Sequence, residues 1–103
     1  MIKHIILWKL KGELREEEKG AVKAEAKKRL ESLNGKIAGL VSLVVETEGL
    51  PSSTADMMLD SVFTDVESYQ AYRVDPLHQE AAGYVRSVVE SRLCLDYQYA
   101  EER

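Results

Sequence analysis

The sequence has a single cysteine and no apolar run long enough to form a membrane-spanning helix, which needs about 18 residues. Cys94 therefore has no partner for an internal disulfide, and disulfide-rich secreted folds are excluded. The N-terminus also lacks the charged, apolar and small-residue order of a secretory signal. We expect a cytoplasmic protein that does not associate with membranes.

Basic charge is scarce as well. Lysine and arginine total 14 against 18 aspartate and glutamate residues, for a net charge of −4. Because binding to a phosphate backbone needs a basic face, nucleic acid is not expected as a partner. Glycine-rich phosphate loops, serine-centred elbows and dinucleotide fingerprints are also missing, so no cofactor is expected. No metal site is expected either, because Cys94 has no paired ligand at metal-binding spacing.

What is present fits one domain over residues 1–103. The chain is 45% hydrophobic, enough to build a real core. Apolar periodicity and turn residues predict a βαββαβ order with the second helix broken at proline, which is the ferredoxin-like α+β pattern with a four-stranded antiparallel sheet. The predicted segments are strands 1–10, 39–48, 56–64 and 93–99, helices 13–33, 64–75 and 76–91, and a polar tail at 100–103 that is expected to fray.

The first strand is apolar on both faces through its middle. Helices of the same chain can cover only one side of the sheet. We assign Ile6, Trp8 and Leu10 to the other, uncovered side. Because monomers rarely expose such a patch, this assignment predicts a homodimer through the sheet face, and Ile6→Glu should disrupt it.

Two histidines are the candidates for chemistry. His78 falls in the first turn of the helix that begins at Pro76, where the helix end disfavours positive charge and should keep the imidazole neutral. Tyr72 precedes the same break and offers a hydroxyl donor. The alternatives are that His78 only supports the turn, that Tyr72 only fills space, and that His4 is a core histidine of the first strand. Thr64 and Glu67 match a capping box for the helix that carries Tyr72.

These residues carry a resemblance. The segment Lys3-His4-Ile5-Ile6-Leu7-Trp8-Lys9-Leu10, the strands at Gly39 and Phe63, the spacing Tyr72-x-x-x-Pro76-x-His78 and the pair Asp96-Tyr97 resemble the stress-responsive dimeric α/β-barrel family. The resemblance implies ferredoxin-like domains that pair through their sheets to enclose a barrel. The family includes plant stress proteins that form large oligomers. It also includes a polyketide cyclase whose acid/base pair matches Tyr72 and His78, and whose cavity includes a histidine that matches His4.

Three functional hypotheses follow. The first is a stress-responsive dimeric barrel protein of undetermined activity, with a cavity for a small aromatic or aliphatic ligand lined by His4, Ile6, Trp8 and Met58. The second is a cofactor-free, polyketide-cyclase-like lyase or isomerase with His78 as base and Tyr72 as hydrogen-bond donor. The third is a non-catalytic, stable assembly protein. A cavity of some hundreds of Å³ that reaches His78 favours the first two. Solid packing would favour the third. Cys94 is expected to be buried and inert in all three.

Overall fold

The structure is a computed structural model that describes residues 1–100, so all but the first residue of the tail that is expected to fray, 100–103, lies outside the described residues. Within the described part, the sheet has the order β2-β3-β1-β4 and all neighbouring strands are antiparallel. This confirms the ferredoxin-like α+β fold. No helix of residues 1–100 is long and apolar enough to cross a membrane. The elements are β1 (Ile2–Leu10), α1 (Glu16–Glu31), β2 (Leu40–Glu46), β3 (Met57–Phe63), α2 (Val66–Arg73), α3 (Pro76–Val88) and β4 (Val89–Gln98).

Side-chain caps determine where the last two helices begin. The cap of α2 is Asp65, whose carboxylate accepts a hydrogen bond from the amide of Ser68 at 2.7 Å. The prediction of Thr64 as the cap is therefore wrong by one residue. The carboxylate of Asp75 caps α3 by accepting from the amide of Leu77 at 2.8 Å, and Pro76 occupies the first helical position as predicted.

The helices cover the face of β1 that we had assigned to the dimer. Ile6, Trp8 and Leu10 are only 6%, 5% and 2% exposed and belong to the core beneath the helices. Our assignment of these residues to the uncovered side is wrong. The reason lies in the alternate positions, where Lys3 and Lys9 flank the apolar centre of the other face. The face without a lysine is the one that a closed core can accept, because burying an unpaired charge is costly.

The uncovered face of the sheet is nevertheless apolar across three strands. Leu93 and Leu95 of β4 are 73% and 63% exposed, and they lie opposite Leu7 and Ile5 of β1 in the strand register. Met58 lies opposite Leu7 on the other side of β1. These five residues, the open-face stripe, form the kind of patch that monomers rarely leave in water.

Gly39 allows α2 to approach the sheet closely. Its φ of +82° lies in the left-handed region, and a Cβ there would be 2.1 Å from Oγ of Ser68. Its carbonyl also accepts a hydrogen bond from the amide of Thr64 at 2.9 Å. A glycine is therefore required where β2 begins, and it fixes the helix that carries Tyr69 and Tyr72.

Candidate functional site

A cavity of about 340 Å³ lies between the sheet and helices α2 and α3. Its volume falls in the range of small-molecule sites, about 300–1,000 Å³. Its walls come from β1, α2, α3 and the start of β4, with one residue each from α1 and β3. Five of the six residues proposed from the sequence line it: His4, Ile6, Trp8, Tyr72 and His78.

Met58 is the sixth, and it does not line this cavity. Side chains alternate along β3, so the buried Met57 and Leu59 point toward the helices and Met58 points to the uncovered face. The expectation that Met58 shares a site with Trp8 is wrong. The strand has an apolar residue at each of these three positions, so composition alone could not separate its two faces.

Tyr72 and His78 come together across the break between two helices. Tyr72 is in the last turn of α2 and His78 in the first turn of α3. Their ring centroids are 4.0 Å apart with an angle of 31° between planes, and the ring of His4 lies 6.4 Å from that of Tyr72. The three side chains could therefore contact one ligand of ordinary size.

The imidazole of His78 is held in its neutral form. Burial lowers its pKa below the ordinary value of 6.5, the nearby His4 also lowers it, and the backbone at Arg73 opposes part of the shift. Among residues 1–100, its Nδ1 atom is buried without a hydrogen-bond partner. The direction agrees with the expectation of a neutral His78, but the main cause is burial rather than the helix end.

Tyr72 supplies a hydroxyl that keeps its proton. The residue is 1% exposed, and burial raises the pKa of its phenol well above the ordinary value of 10.0. Because an un-ionised phenol is a hydrogen-bond donor, Tyr72 can donate to a ligand oxygen at any physiological pH.

His4 belongs to a hydrogen-bonded network with β4 and α2. The register pairs His4 with Asp96, and Nδ1 of His4 lies 2.5 Å from Oδ1 of Asp96. The same carboxylate accepts from the Tyr69 hydroxyl at 2.8 Å and from the Cys94 thiol at 3.2 Å. Because an ionised carboxylate only accepts, the proton of a neutral His4 lies on Nδ1, and Nε2 remains an acceptor.

The charges in this network are set by competing influences. Burial lowers the pKa of His4, although Asp96 acts in the opposite direction. Burial would raise the pKa of Asp96, but the hydrogen bonds from His4, Tyr69 and Cys94 outweigh it and lower that pKa. At neutral pH the pair is a neutral imidazole held by an ionised carboxylate.

The sequence and the fold agree with one family. Residues 2–99 match the family described as the Stress responsive A/B Barrel Domain, Dabb. The chain belongs to the Dabb family. The resemblance noted from Tyr72, Pro76 and His78 is thereby confirmed.

Solved structures similar to this Dabb domain share its fold. A dimeric protein of unknown function and ferredoxin-like fold from Bacteroides fragilis is 32% identical, with a TM-score of 0.88 and 95% of each chain covered. A dimeric ferredoxin-like protein from Thermobifida fusca is 17% identical, with a TM-score of 0.80 and coverage of 95% of this chain and 90% of that chain. Hydroxynitrile lyase from Passiflora edulis is 17% identical, with a TM-score of 0.73 and coverage of 99% and 95%. No curated protein matches the chain.

The Dabb domain also brings three potential metal ligands together. His4, Cys94 and Asp96 offer a nitrogen, a sulfur and an oxygen that all lie within 4.8 Å of one another. The grouping arises between strands, so ligand spacing within the sequence could not show it, and the absence of a metal site stays a prediction. These donor types suit zinc, but in this structure they are hydrogen-bonded to one another.

Cys94 is also not buried as expected. It is exposed on β4, beside β1 but beyond the cover of the helices. Partial burial and the neighbouring carboxylate of Asp96 raise the pKa of its thiol. The thiol is therefore a poor nucleophile at neutral pH.

Several residues of the site were not identified as such from the sequence. Tyr69 could have been found, because it precedes Tyr72 by three positions and so shares its helix face. Asp96 belongs to the pair Asp96-Tyr97 that carries the resemblance, but only the antiparallel pairing of β1 and β4 places it beside His4. Three arginines of the cavity wall come from different elements, and no local pattern links them: Arg73, Arg86 and Arg92.

Proposed function

We propose that this Dabb domain binds a small carbonyl compound in the cavity and moves a proton at the carbon next to the carbonyl, without a cofactor. The reaction class is that of a cyclase, lyase or isomerase. One observation carries the proposal. A neutral His78 lies against an un-ionised Tyr72 on the wall of a cavity large enough for a substrate.

His78 is the proposed base. Its Nδ1 atom is sealed, so Nε2 is the ring nitrogen that a ligand can reach. We assign the ring proton to Nδ1, which leaves Nε2 as the nitrogen that accepts from the ligand. A neutral imidazole in such a position can remove a proton from carbon.

Tyr72 is the proposed partner of the base. When a proton leaves the carbon next to a carbonyl, negative charge develops on the carbonyl oxygen. A hydroxyl donor directed at that oxygen stabilises the transition state more than the ground state. His4 has a free Nε2 acceptor on the same cavity and is proposed as a second ligand contact.

The rest of the wall supports a site that excludes water. The inner part is apolar and includes Ile6, Trp8, Leu59 and Val85. Weak dielectric screening there would strengthen the hydrogen bond from Tyr72. The paired rings of Tyr72 and His78 lie beside these apolar residues on the same wall, which supports a ligand site over the purely structural hypothesis.

The test is deuterium exchange into 2-octanone in D₂O, followed by NMR, because this methyl ketone exchanges slowly by itself. We expect catalysed exchange at the carbons beside the carbonyl, and a loss of about a hundredfold or more for His78→Gln. Tyr72→Phe should also slow exchange, and Cys94→Ala should not. Exchange at the rate of buffer alone, or undiminished in His78→Gln, would contradict the proposal. Binding without exchange would favour a ligand carrier over an enzyme.

Assembly is part of the same proposal. We infer a homodimer in which two sheets pack through the open-face stripe and enclose a barrel between them. The stripe itself supports this arrangement, and the 32% identical Bacteroides fragilis protein is described as dimeric. A cytoplasmic location, expected from the single cysteine, completes the proposal.

A further inference from the structure

The charge of the cavity wall is opposite to that of the protein. The chain carries a net charge of −4. The cavity wall nevertheless includes the three arginines Arg73, Arg86 and Arg92, and, among the described residues, no aspartate or glutamate. We call these three residues the arginine rim. In a protein with more acidic than basic residues, a cavity wall with three arginines and no acidic residue among the described residues is not expected by chance.

The arginine rim converges from three elements. Arg73 ends α2, Arg86 lies in the last turns of α3, and Arg92 is near the start of β4. Within residues 1–100, no carboxylate lies within ion-pair distance of any of them, whereas Arg15 and Arg29 of α1 and its cap have such partners. The guanidinium groups of the rim are therefore available to a ligand.

The positive charge of the arginine rim acts on His4 and His78. Burial lowers the pKa of His4 and Asp96 raises it, and these are the largest influences. Arg92 and Arg73 lower that pKa further, and Arg86 contributes to the lowered pKa of His78. The acids of β4 are Glu90 and Asp96, and neither lines the cavity. Glu90 accepts from the amide of Gly12, and Asp96 already accepts three hydrogen bonds. These acids leave the positive field at the rim in place.

We infer that the ligand is a small amphiphile with an anionic head, a carboxylate or a phosphate monoester, which the arginine rim binds while the apolar body fills the cavity. The inference rests on the proposed small-molecule function and specifies its ligand class. Guanidinium matches the two oxygens of such a head and forms strong, charge-assisted hydrogen bonds. A cleft with low-dielectric walls also concentrates the field of its charges. The apolar residues Ile6, Trp8 and Leu30 suit an alkyl or aryl body.

The experiment compares ligands of one size and different charge. Octanoate, octyl phosphate and octanamide are titrated into the full-length protein by calorimetry at low and at moderate salt. We expect at least one of the two anions to bind about tenfold or more tightly than octanamide, with the difference reduced by salt. The comparison between octanoate and octyl phosphate identifies the head group.

Substitutions locate the effect. Arg73→Gln, Arg86→Gln and Arg92→Gln should each weaken binding of the preferred anion about five- to tenfold and leave octanamide unchanged. Lys28→Gln, an exposed position of α1, changes net charge equally and should have no effect. Equal binding of octanamide, or anion binding that resists all three substitutions, would overturn the inference and leave the proposed function intact. Failure of all three compounds to bind would also overturn the inference, and the exchange of 2-octanone would then decide separately whether the proposed function stands.

Discussion

The ring of His78 lies against the ring of Tyr72, with their centroids 4.0 Å apart, although the two residues belong to different helices. The break at Pro76 makes this contact possible, because Val74 ends α2 and the next residue, Asp75, caps α3. The last turn of one helix and the first turn of the next therefore meet at one cavity. A pair built in this way depends on the positions of both helices.

Folding stability should decrease as the pH falls below about 6.5. His4 and His78 have lowered pKa values in the folded protein, so the unfolded chain binds more protons in this window. Their contribution is present above 6.5 and is lost as the pH falls through the folded pKa values. Glutamates and aspartates with lowered pKa values, such as Glu31 and Asp65, act at more acidic pH. Denaturant midpoints at pH 7.5 and 5.5 measure the effect, and His78→Gln should reduce it. An equal pH dependence in this variant would exclude His78 as a cause.

Asp96→Asn should lower two pKa values at once. Burial lowers the pKa of His4 and raises that of Cys94, and the charge of Asp96 raises both. Without this charge, the His4 ring should titrate at lower pH, and the thiol should react faster with a thiol reagent at pH 8. NMR titration and labelling rates measure the two effects. Tyr69→Phe is the matched control, because it removes one hydrogen bond to Asp96 and keeps the charge of Asp96. It should change the His4 titration and the labelling rate of Cys94 less than Asp96→Asn does. Unchanged titration of His4 in Asp96→Asn would contradict the network.

A glutamate introduced on the open face of the sheet should affect assembly, whereas a glutamate introduced on the buried face should affect folding. Leu95 is on the open-face stripe and 63% exposed, whereas Ile6 is 6% exposed in the core. Leu95→Glu should give a folded monomer, because the charge remains hydrated once the dimer separates. Ile6→Glu should unfold the chain, because an unpaired charge cannot be buried cheaply. Sedimentation and circular dichroism distinguish the outcomes. A dimer that persists in Leu95→Glu at micromolar concentration would place the interface elsewhere.

Gly39→Ala should destabilise the fold more than Gly35→Ala. Both glycines have φ near +80°, so both substitutions carry the left-handed penalty, about 1 kcal/mol. Only at Gly39 would the new methyl collide with Ser68, while Gly35 has open space. We expect Gly39→Ala to lose at least about twice as much unfolding free energy as Gly35→Ala. We also expect α2 to be displaced and ligand binding to be weakened in Gly39→Ala. Equal losses in unfolding free energy would mean that α2 does not depend on this approach.

Much of the fold could be predicted because its signals are local. Alternating and helical apolar periods, Pro76 and the Asp75 cap define segments without reference to distant residues. The faces of β1 could not be assigned in this way, since both are apolar at the centre. Lys3 and Lys9 distinguish the two faces of β1, but this difference matters only when one face must be buried beneath the helices.

The site was predictable to the extent that its residues are neighbours in sequence. Tyr72 and His78 are six positions apart on either side of the break at Pro76, and the sequence predicts them together. Asp96 and the arginine rim were not, because their proximity depends on the pairing of β1 with β4 and on the packing of α3. Cys94 was misplaced for a related reason, since its exposure depends on how far the helices extend over β4.

The two histidines offer the most direct test of a shared ligand site, because the ring spectrum of this chain contains only two imidazoles. We would follow both by NMR across pH and during titration with octanoate and octyl phosphate, with His4→Gln and His78→Gln for assignment. We expect both rings to titrate below 6.5 and both to shift when the preferred anion binds. A His78 ring that titrates at 6.5 or above, or a ligand that shifts only one of the two rings, would contradict the shared site.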